Sequence, residues 1–114
     1  MVYYINYKEQ ELPVFISHYA MKMLWKETQK TVDDVLQDNA GFNEANEVFL
    51  YYCLEAGHRK EKRVFELDKD EMQWILDDNF LKFQEIVREN FMRISMEAAG
   101  ELEADGDDDK KKEG

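Results

Sequence analysis

The sequence predicts an α+β fold that is mainly α-helical, with an N-terminal β-hairpin followed by four or five packed helices. The first sixteen residues are rich in aromatic and β-branched side chains and place apolar residues at alternate positions, which is typical of paired strands. From Ser17 onward, apolar residues recur at intervals of three and four, the spacing of one helix face. With 114 residues, the chain has room for one domain of ordinary size.

The hairpin is expected within residues 2–16, with its turn at 8–10. Alternation of side chains along a strand should place one set of apolar residues on a single face: Tyr3, Ile5 and Tyr7 on the first strand, and Leu12, Val14 and Ile16 on the second. Pro13 has no N–H to donate, so the second strand should be an edge or have a broken ladder there.

The first two helices are predicted from their capping residues, and all helices should lie within residues 17–99. Ser17 is a suitable N-cap for a helix that runs to about Gln29. Thr31 and Asp34 have the spacing of a capping box, with Asp in place of the usual Glu, and should open a short second helix.

The central helix is expected at 43–56, where the residues are apolar or aromatic nearly all round, with Gly57 as its C-terminal glycine. Asp68 should cap the next helix, and 77–79 should separate it from a last helix ending at Gly100. That last helix has an apolar stripe stepping by three and four: Phe80, Phe83, Val87, Phe91, Ile94 and Ala98.

The composition changes at residue 101. Residues 1–100 are predicted to form a single globular domain, and 101–114 a disordered acidic tail that ends in a lysine run. The tail holds seven acids and three lysines, a net −4. The whole chain holds 15 basic and 26 acidic residues, a net −11, so the body carries −7.

This charge argues against nucleic acid and against anionic membrane surfaces as direct ligands. No apolar run approaches the roughly 18–20 residues that cross a bilayer. The N-terminus lacks the pattern of a secretory signal, and Cys53 is the single cysteine. A reducing, cytoplasmic setting is therefore expected.

Residues suited to catalysis are few, and no cofactor, metal site or enzyme activity is predicted. Cys53 lies in the most apolar part of the chain, where a thiol is usually inert. Cys53, His18 and His58 do not have the spacing of a zinc motif.

Several residues are candidates for contact with a partner protein. Four basic residues of this acidic chain, Arg59, Lys60, Lys62 and Arg63, fall within the segment 58–63, which is expected to be a polar loop. The loop is either simply solvated or a contact for an acidic partner surface. Trp25 and Trp74 lie beside the main stripe of their helices and either flank the core or anchor a partner. The hairpin edge near Pro13 is a further candidate surface.

The order of these segments resembles a known family. A hairpin leads into the helix Tyr-Ala-Met-Lys-Met-Leu at 19–24 and the acidic helix Val-Asp-Asp-Val-Leu at 32–36. Then follow Glu-Val-Phe-Leu-Tyr-Tyr-Cys-Leu-Glu-Ala-Gly at 47–57 and the segment 65–78, which begins Phe-Glu-Leu-Asp and ends Leu-Asp-Asp. Over residues 1–96 this pattern is similar to the tail assembly chaperones of long-tailed bacteriophages and prophages.

The resemblance implies a non-enzymatic protein of the host bacterial cytoplasm. Such chaperones bind the tape measure protein, keep it soluble and recruit tail tube subunits. The family offers no catalytic residues to carry over, and a homo-oligomer is left open. Two other classes also stay open: an acidic DNA mimic that occupies a nucleic-acid-binding partner, and a small enzyme.

Overall fold

The computed structural model describes residues 1–38, 40 and 42–105, and for 93–105 only the course of the backbone. Its elements follow one another as β1 (Val2–Tyr7), β2 (Gln10–Phe15), α1 (His18–Thr28), α2 (Val32–Leu36), α3 (Glu44–Lys60) and α4 (Glu71–Asp105). Within this part of the chain, a two-stranded antiparallel hairpin precedes four helices. The predicted α+β, mainly helical class is confirmed.

The hairpin has the predicted faces. Its register pairs Ile5 with Leu12 and Tyr3 with Val14. Ile5, Leu12 and Val14 are buried against the helices, and Ile16 is buried just beyond β2.

The hairpin turn is tighter than predicted. Tyr7 pairs with Gln10, so Lys8 and Glu9 form a two-residue turn, and both have positive φ, at 50° and 62°. Two positive φ angles are the signature of a type I′ turn, which suits the right-handed twist of the strands and strongly prefers Asn-Gly. Lys8 and Glu9 therefore hold a conformation that disfavours most side chains.

Replacing Lys8 by Asn together with Glu9 by Gly is expected to stabilise the protein by about 1 kcal/mol. The left-handed conformation costs roughly 1–2 kcal/mol at an ordinary residue, and Gly returns part of this gain through the flexibility of the unfolded chain. Urea unfolding checks the result. Glu66→Gly, an exposed site without positive φ, is the control and should give no gain. An unchanged or lower midpoint for the turn variant would contradict the strain argument.

Helix starts follow the capping predictions. The Ser17 hydroxyl accepts the Ala20 N–H at 3.0 Å, and Thr31 with Asp34 completes a reciprocal capping box. Asn43 caps α3. At the start of α4 the Glu71 N–H donates to Asp68 at 3.1 Å, and the Asp68 N–H donates back to Glu71 at 3.4 Å.

Helix α3 continues through Gly57, where the sequence predicted its end. The helix ends one turn later, and Lys62 holds the left-handed position with φ of 58°. The N–H of Arg63 bonds to the His58 carbonyl at 2.8 Å, and that of Lys62 to the Arg59 carbonyl at 3.1 Å. These two bonds form a Schellman motif with Lys in the place usually taken by Gly.

Gly57 serves packing instead of helix termination. A Cβ on Gly57 would lie 2.1 Å from the carbonyl oxygen of Pro13 in β2 and 2.5 Å from its carbonyl carbon. Only a residue without a side chain allows the hairpin backbone to lie this close to α3. The prediction of a C-terminal glycine at this position is therefore wrong.

Helix α4 is also continuous where a break at 77–79 was predicted. Asp77 and Asp78 lie on the solvent side, while Asn79 is buried within the apolar stripe. The Asn79 amide donates to the Ile75 carbonyl at 3.1 Å and to the Asn6 carbonyl of β1 at 2.8 Å. A polar residue that fastens the hairpin to the helix thus resembled a helix break in the sequence.

The predicted helix end at Gly100 is likewise not observed, since α4 runs to Asp105. Most of the predicted tail, 106–114, lies outside the described residues. For 106–114, disorder stays a prediction.

The core surrounds α3, which packs against the hairpin and against α1, α2 and α4. Its fully buried side chains include Phe49, Leu50, Cys53 and Leu54. The centre of the Phe49 ring lies 6.1 Å from the centre of the Phe83 ring on α4. The burial of α3 agrees with the central helix predicted from the apolar and aromatic residues at 43–56.

Buried amides join three helices beside this core. The Gln84 amide of α4 donates to the Val35 carbonyl of α2 at 3.0 Å and to the Asn46 side chain of α3 at 2.7 Å. Asn46 in turn donates to Asp38 at 2.8 Å. Gln84 and Asn46 are 5% and 0% exposed, so water has little access to these bonds.

Candidate functional site

An apolar groove lies where α1, α2 and α4 meet. It has a volume of about 480 Å³ and is lined by Met21 and Trp25 of α1, Val32 and Asp33 of α2, Phe91 of α4, and the linker residues Lys30 and Thr31. Trp25 is 50% exposed and Phe91 38% exposed. Large apolar side chains that stay half exposed around one hollow are typical of a partner-binding surface.

The position of Trp25 follows from the helix geometry. Ala20 and Leu24 face the core and are fully buried. Trp25 lies one residue beyond Leu24, about 100° around the helix, and so projects beside the core. The sequence left two alternatives for Trp25, core or partner anchor, and its exposure favours the second.

Trp74 lies on a different surface. It is 61% exposed and, with Tyr7, Lys8, Asp77 and Asp78, lines a hollow of about 420 Å³ at the tip of the hairpin. Trp74 and Phe91 are seventeen positions apart on α4, which corresponds to about 25 Å along the helix. The two tryptophans therefore cannot act on one small ligand.

The predicted basic loop is in part helix. Arg59 and Lys60 belong to the last turn of α3, where cations interact favourably with the helix dipole. The Arg59 guanidinium lies 5.8 Å from the centre of the Tyr19 ring, and the Lys60 ammonium 5.1 Å from that of Phe15. These four residues, with Ser17 and Ala56, line a pocket of about 210 Å³.

The other two basic residues lie outside this pocket, and Arg63 links the end of α3 to the hairpin. Arg63 donates to the Glu11 carbonyl of β2 at 3.1 Å and pairs with Glu61 at 3.5 Å. The Tyr4 hydroxyl also donates to Glu61, and this bond raises the pKa of Tyr4. Lys62, at the left-handed position, is exposed. The cluster thus divides into a pocket-lining pair and a link between α3 and the hairpin.

The proposed recognition edge at Pro13 does not hold. Pro13 stands opposite Tyr4 in continuous register and is buried. The backbone next to Gly57 is that of Pro13, so α3 covers this side of β2. Pro13 falls at a non-hydrogen-bonded pair of the ladder, three pairs beyond Tyr7–Gln10, so its missing N–H removes no bond between β1 and β2.

The sequence does not identify all the residues that line the groove and the pocket. The spacing of the apolar stripe places Phe91 with the core residues of α4, but in the structure it forms the groove wall with Trp25. Phe15 and Tyr19 gave no signal of their own, because they join the pocket only when β2 and α1 pack beside the end of α3.

Two of the side chains considered for catalysis or metal binding, Cys53 and His58, are buried, whereas His18 is exposed. Cys53 is fully buried, and burial raises the pKa of its thiol well above the ordinary value. His58 is 4% exposed, with Nδ1 2.7 Å from the Leu54 carbonyl oxygen. Among the described residues, no group of three or more His, Cys, Asp or Glu side chains is placed to hold a metal ion.

A Glu27–Tyr52–Lys69 cluster braces the segment between α3 and α4. Lys69 donates to both Glu27 carboxylate oxygens, at 2.9 and 3.1 Å, and the Tyr52 hydroxyl donates to the same carboxylate. Bonds from Lys69 and Tyr52 lower the pKa of Glu27. Burial and the bond to Glu27 raise the pKa of Tyr52 to about 12. Each group is held in its ordinary charge state at neutral pH, which suits a brace better than proton transfer.

Comparisons with known proteins leave the chain without an identified relative. No family model, curated protein or solved structure matches it. Within the described residues, no helix is both long enough and apolar enough to cross a membrane.

Proposed function

We propose that this protein is a tail assembly chaperone of a long-tailed phage or prophage, which binds the tape measure protein in the host cytoplasm without catalysing a reaction. The observation that carries the proposal is the half-exposed apolar groove around Trp25 on a strongly acidic protein. The order of hairpin, helices and residue patterns that resembles this family supports it.

The groove suits an amphipathic helix. Its walls come from three helices, with Trp25 and Phe91 exposed at its surface. An amphipathic helix places residues at i, i+3, i+4 and i+7 into such a hydrophobic groove. A long helical protein exposes many such faces before assembly, and covering them prevents its aggregation.

The negative charge of the protein also helps to prevent aggregation of the complex. The chain carries −11, and a complex that keeps most of this charge repels other complexes and stays soluble. Recruitment of tail tube subunits needs a second surface, because an occupied groove is no longer free. The Trp74 hollow and the basic end of α3 are both separate from the groove.

Binding of a helical tape measure fragment tests the proposal. Trp25→Ala is expected to weaken the complex by about 30-fold or more, because truncating a central tryptophan anchor costs about 2 kcal/mol or more. Isothermal titration calorimetry gives the affinity. Trp74→Ala is the matched control, since it removes the same side chain from another surface, and it should leave the affinity unchanged.

The outcomes separate two questions. If the unmodified protein binds no fragment of the tape measure protein, the chaperone proposal fails. Capture of a basic DNA-binding protein in its place would favour the DNA-mimic class. If the tape measure binds but Trp25→Ala binds equally well, the chaperone function stands and the groove assignment fails.

A further inference from the structure

Three exposed lysines follow one another along α1 and the linker after it. Lys22, Lys26 and Lys30 are spaced at intervals of four residues, and each is exposed. Residues four apart form a ridge on a helix surface, so Lys22 and Lys26 lie on one ridge of α1. Lys30 follows two residues after the last residue of the helix. These three residues are here the lysine row.

The lysine row borders the apolar groove on the side of α1. The neighbouring ridge of this helix holds Met21 and Trp25, which line the groove and each lie one residue before a lysine. Lys30 lines the groove itself. A partner helix seated against Trp25 therefore presents one of its flanks to the lysine row.

The carboxylates closest to the row in sequence are bonded to other groups. Glu27, the one acidic residue of α1, accepts from Lys69 at 2.9 Å. Asp34 of α2 accepts the Thr31 N–H at 2.8 Å, and this bond, with a smaller contribution from the charge of Lys30, lowers the pKa of Asp34. Within the described residues, no member of the lysine row forms an ion pair. The row therefore stays available to a partner.

The opposite side of the groove carries charges of both signs. Asp33 of α2 lines the groove, and its carboxylate accepts from the Gln37 amide at 2.7 Å. Arg88 is exposed on α4, three residues before Phe91. A partner helix thus meets mixed charges on this side and a basic flank on the side of α1.

We propose that the groove selects an amphipathic helix whose apolar stripe is bordered by acidic residues, with these carboxylates lying over the lysine row. This inference rests on the proposed function, because it takes the groove as the site of the partner helix, and it adds the charge of the segment that binds. Charges across an interface fix the register of a partner and exclude segments of the wrong sign. The net charge of −11 alone would predict a basic partner, so the lysine row makes the opposite prediction.

Two synthetic helical peptides test the proposal. Both carry leucines at i, i+3, i+4 and i+7, and they differ only along one edge of this stripe, which holds Glu in the acidic peptide and Lys in the basic peptide. Isothermal titration calorimetry with the full chain gives both affinities. At low salt the acidic peptide is expected to bind about tenfold more tightly, because one complex forms exposed ion pairs where the other brings like charges together. The difference should shrink as salt rises.

Reversing the lysine row identifies the side chains responsible. The combined variant Lys22→Glu, Lys26→Glu and Lys30→Glu is expected to invert the preference, so that the basic peptide binds more tightly. The matched control replaces three exposed lysines outside the groove lining and changes the net charge equally: Lys8→Glu, Lys62→Glu and Lys82→Glu. The control should keep the preference for the acidic peptide.

A third variant places the peptides in the groove. Trp25→Ala is expected to weaken the binding of both peptides, because both use the same apolar contact. Circular dichroism of each variant establishes that it is folded.

Equal affinities for the two peptides, tighter binding of the basic peptide, or an acidic preference that survives reversal of the lysine row would overturn the proposal. So would the failure of both peptides to bind. The tape measure fragment is measured separately. A protein that binds the fragment but does not discriminate between the peptides keeps the proposed function and loses this inference. A protein that prefers the acidic peptide but binds no tape measure fragment loses the proposed function, and the selection of an acidic helix stands.

Discussion

Replacing Gly57 by alanine is expected to destabilise the protein by about 3 kcal/mol, with overpacking as the cause. The new Cβ would lie 2.1 Å from the Pro13 carbonyl oxygen. This neighbour is backbone within a paired strand, so it cannot move aside as a flexible side chain would. The hairpin must shift away from α3, or the helix must bend.

The sign of the change in the free energy of unfolding tests the close contact with β2, because Gly57 lies inside a helix. At an unconstrained helical site, Gly to Ala stabilises by about 1 kcal/mol. Urea unfolding monitored by circular dichroism gives the difference in free energy. A gain in stability would show that β2 does not approach α3 at this point.

Replacing Phe49 by alanine is expected to cost about 3–5 kcal/mol, the range for truncating a large buried aromatic side chain. Phe49 is fully buried at the centre of α3, and its ring lies 6.1 Å from that of Phe83. The substitution leaves a cavity between α3 and α4 that the surrounding backbone cannot fill completely.

Phe42→Ala is the matched control, because Phe42 is 91% exposed. The same chemical change there should alter the free energy of unfolding by no more than about 0.5 kcal/mol. Thermal and denaturant unfolding of both variants check this difference. Equal effects of the two substitutions would contradict the placement of Phe49 in the core.

Local chemistry explains which parts of the fold were predictable. Ser17, Thr31 and Asp68 satisfy free backbone N–H groups within three residues of themselves, so their capping roles can be read from a short stretch of sequence. The hairpin faces follow equally directly from the alternation of apolar residues.

The glycine at position 57 is the reason that the end of α3 is predicted one turn too early. The described non-glycine residues with positive φ are Lys8, Glu9, Gln29 and Lys62. Gly57 lies in a helix, where close contact with Pro13, 44 positions earlier in the chain, requires it. A local rule that places glycine at left-handed positions cannot anticipate a close contact of this kind.

The candidate sites were predictable as residue types but not as surfaces. The sequence predicts the tryptophans and the basic cluster as candidates, and Trp25, Trp74, Arg59 and Lys60 do border exposed hollows. Their neighbours come from distant elements, because each hollow forms only when the helices and hairpin pack together. The prediction for Pro13 is wrong for the same reason, since the helix that covers it comes much later in the chain.

The buried amides joining α2, α3 and α4 fix the register of the long helix. A slide of α4 by one turn would move it about 5.4 Å along its axis. Such a slide would separate Gln84 from Asn46 and from the Val35 carbonyl. Each buried polar group left without a partner costs about 1–3 kcal/mol. The groove wall at Phe91, seven residues beyond Gln84, is thereby held at a defined height opposite Trp25.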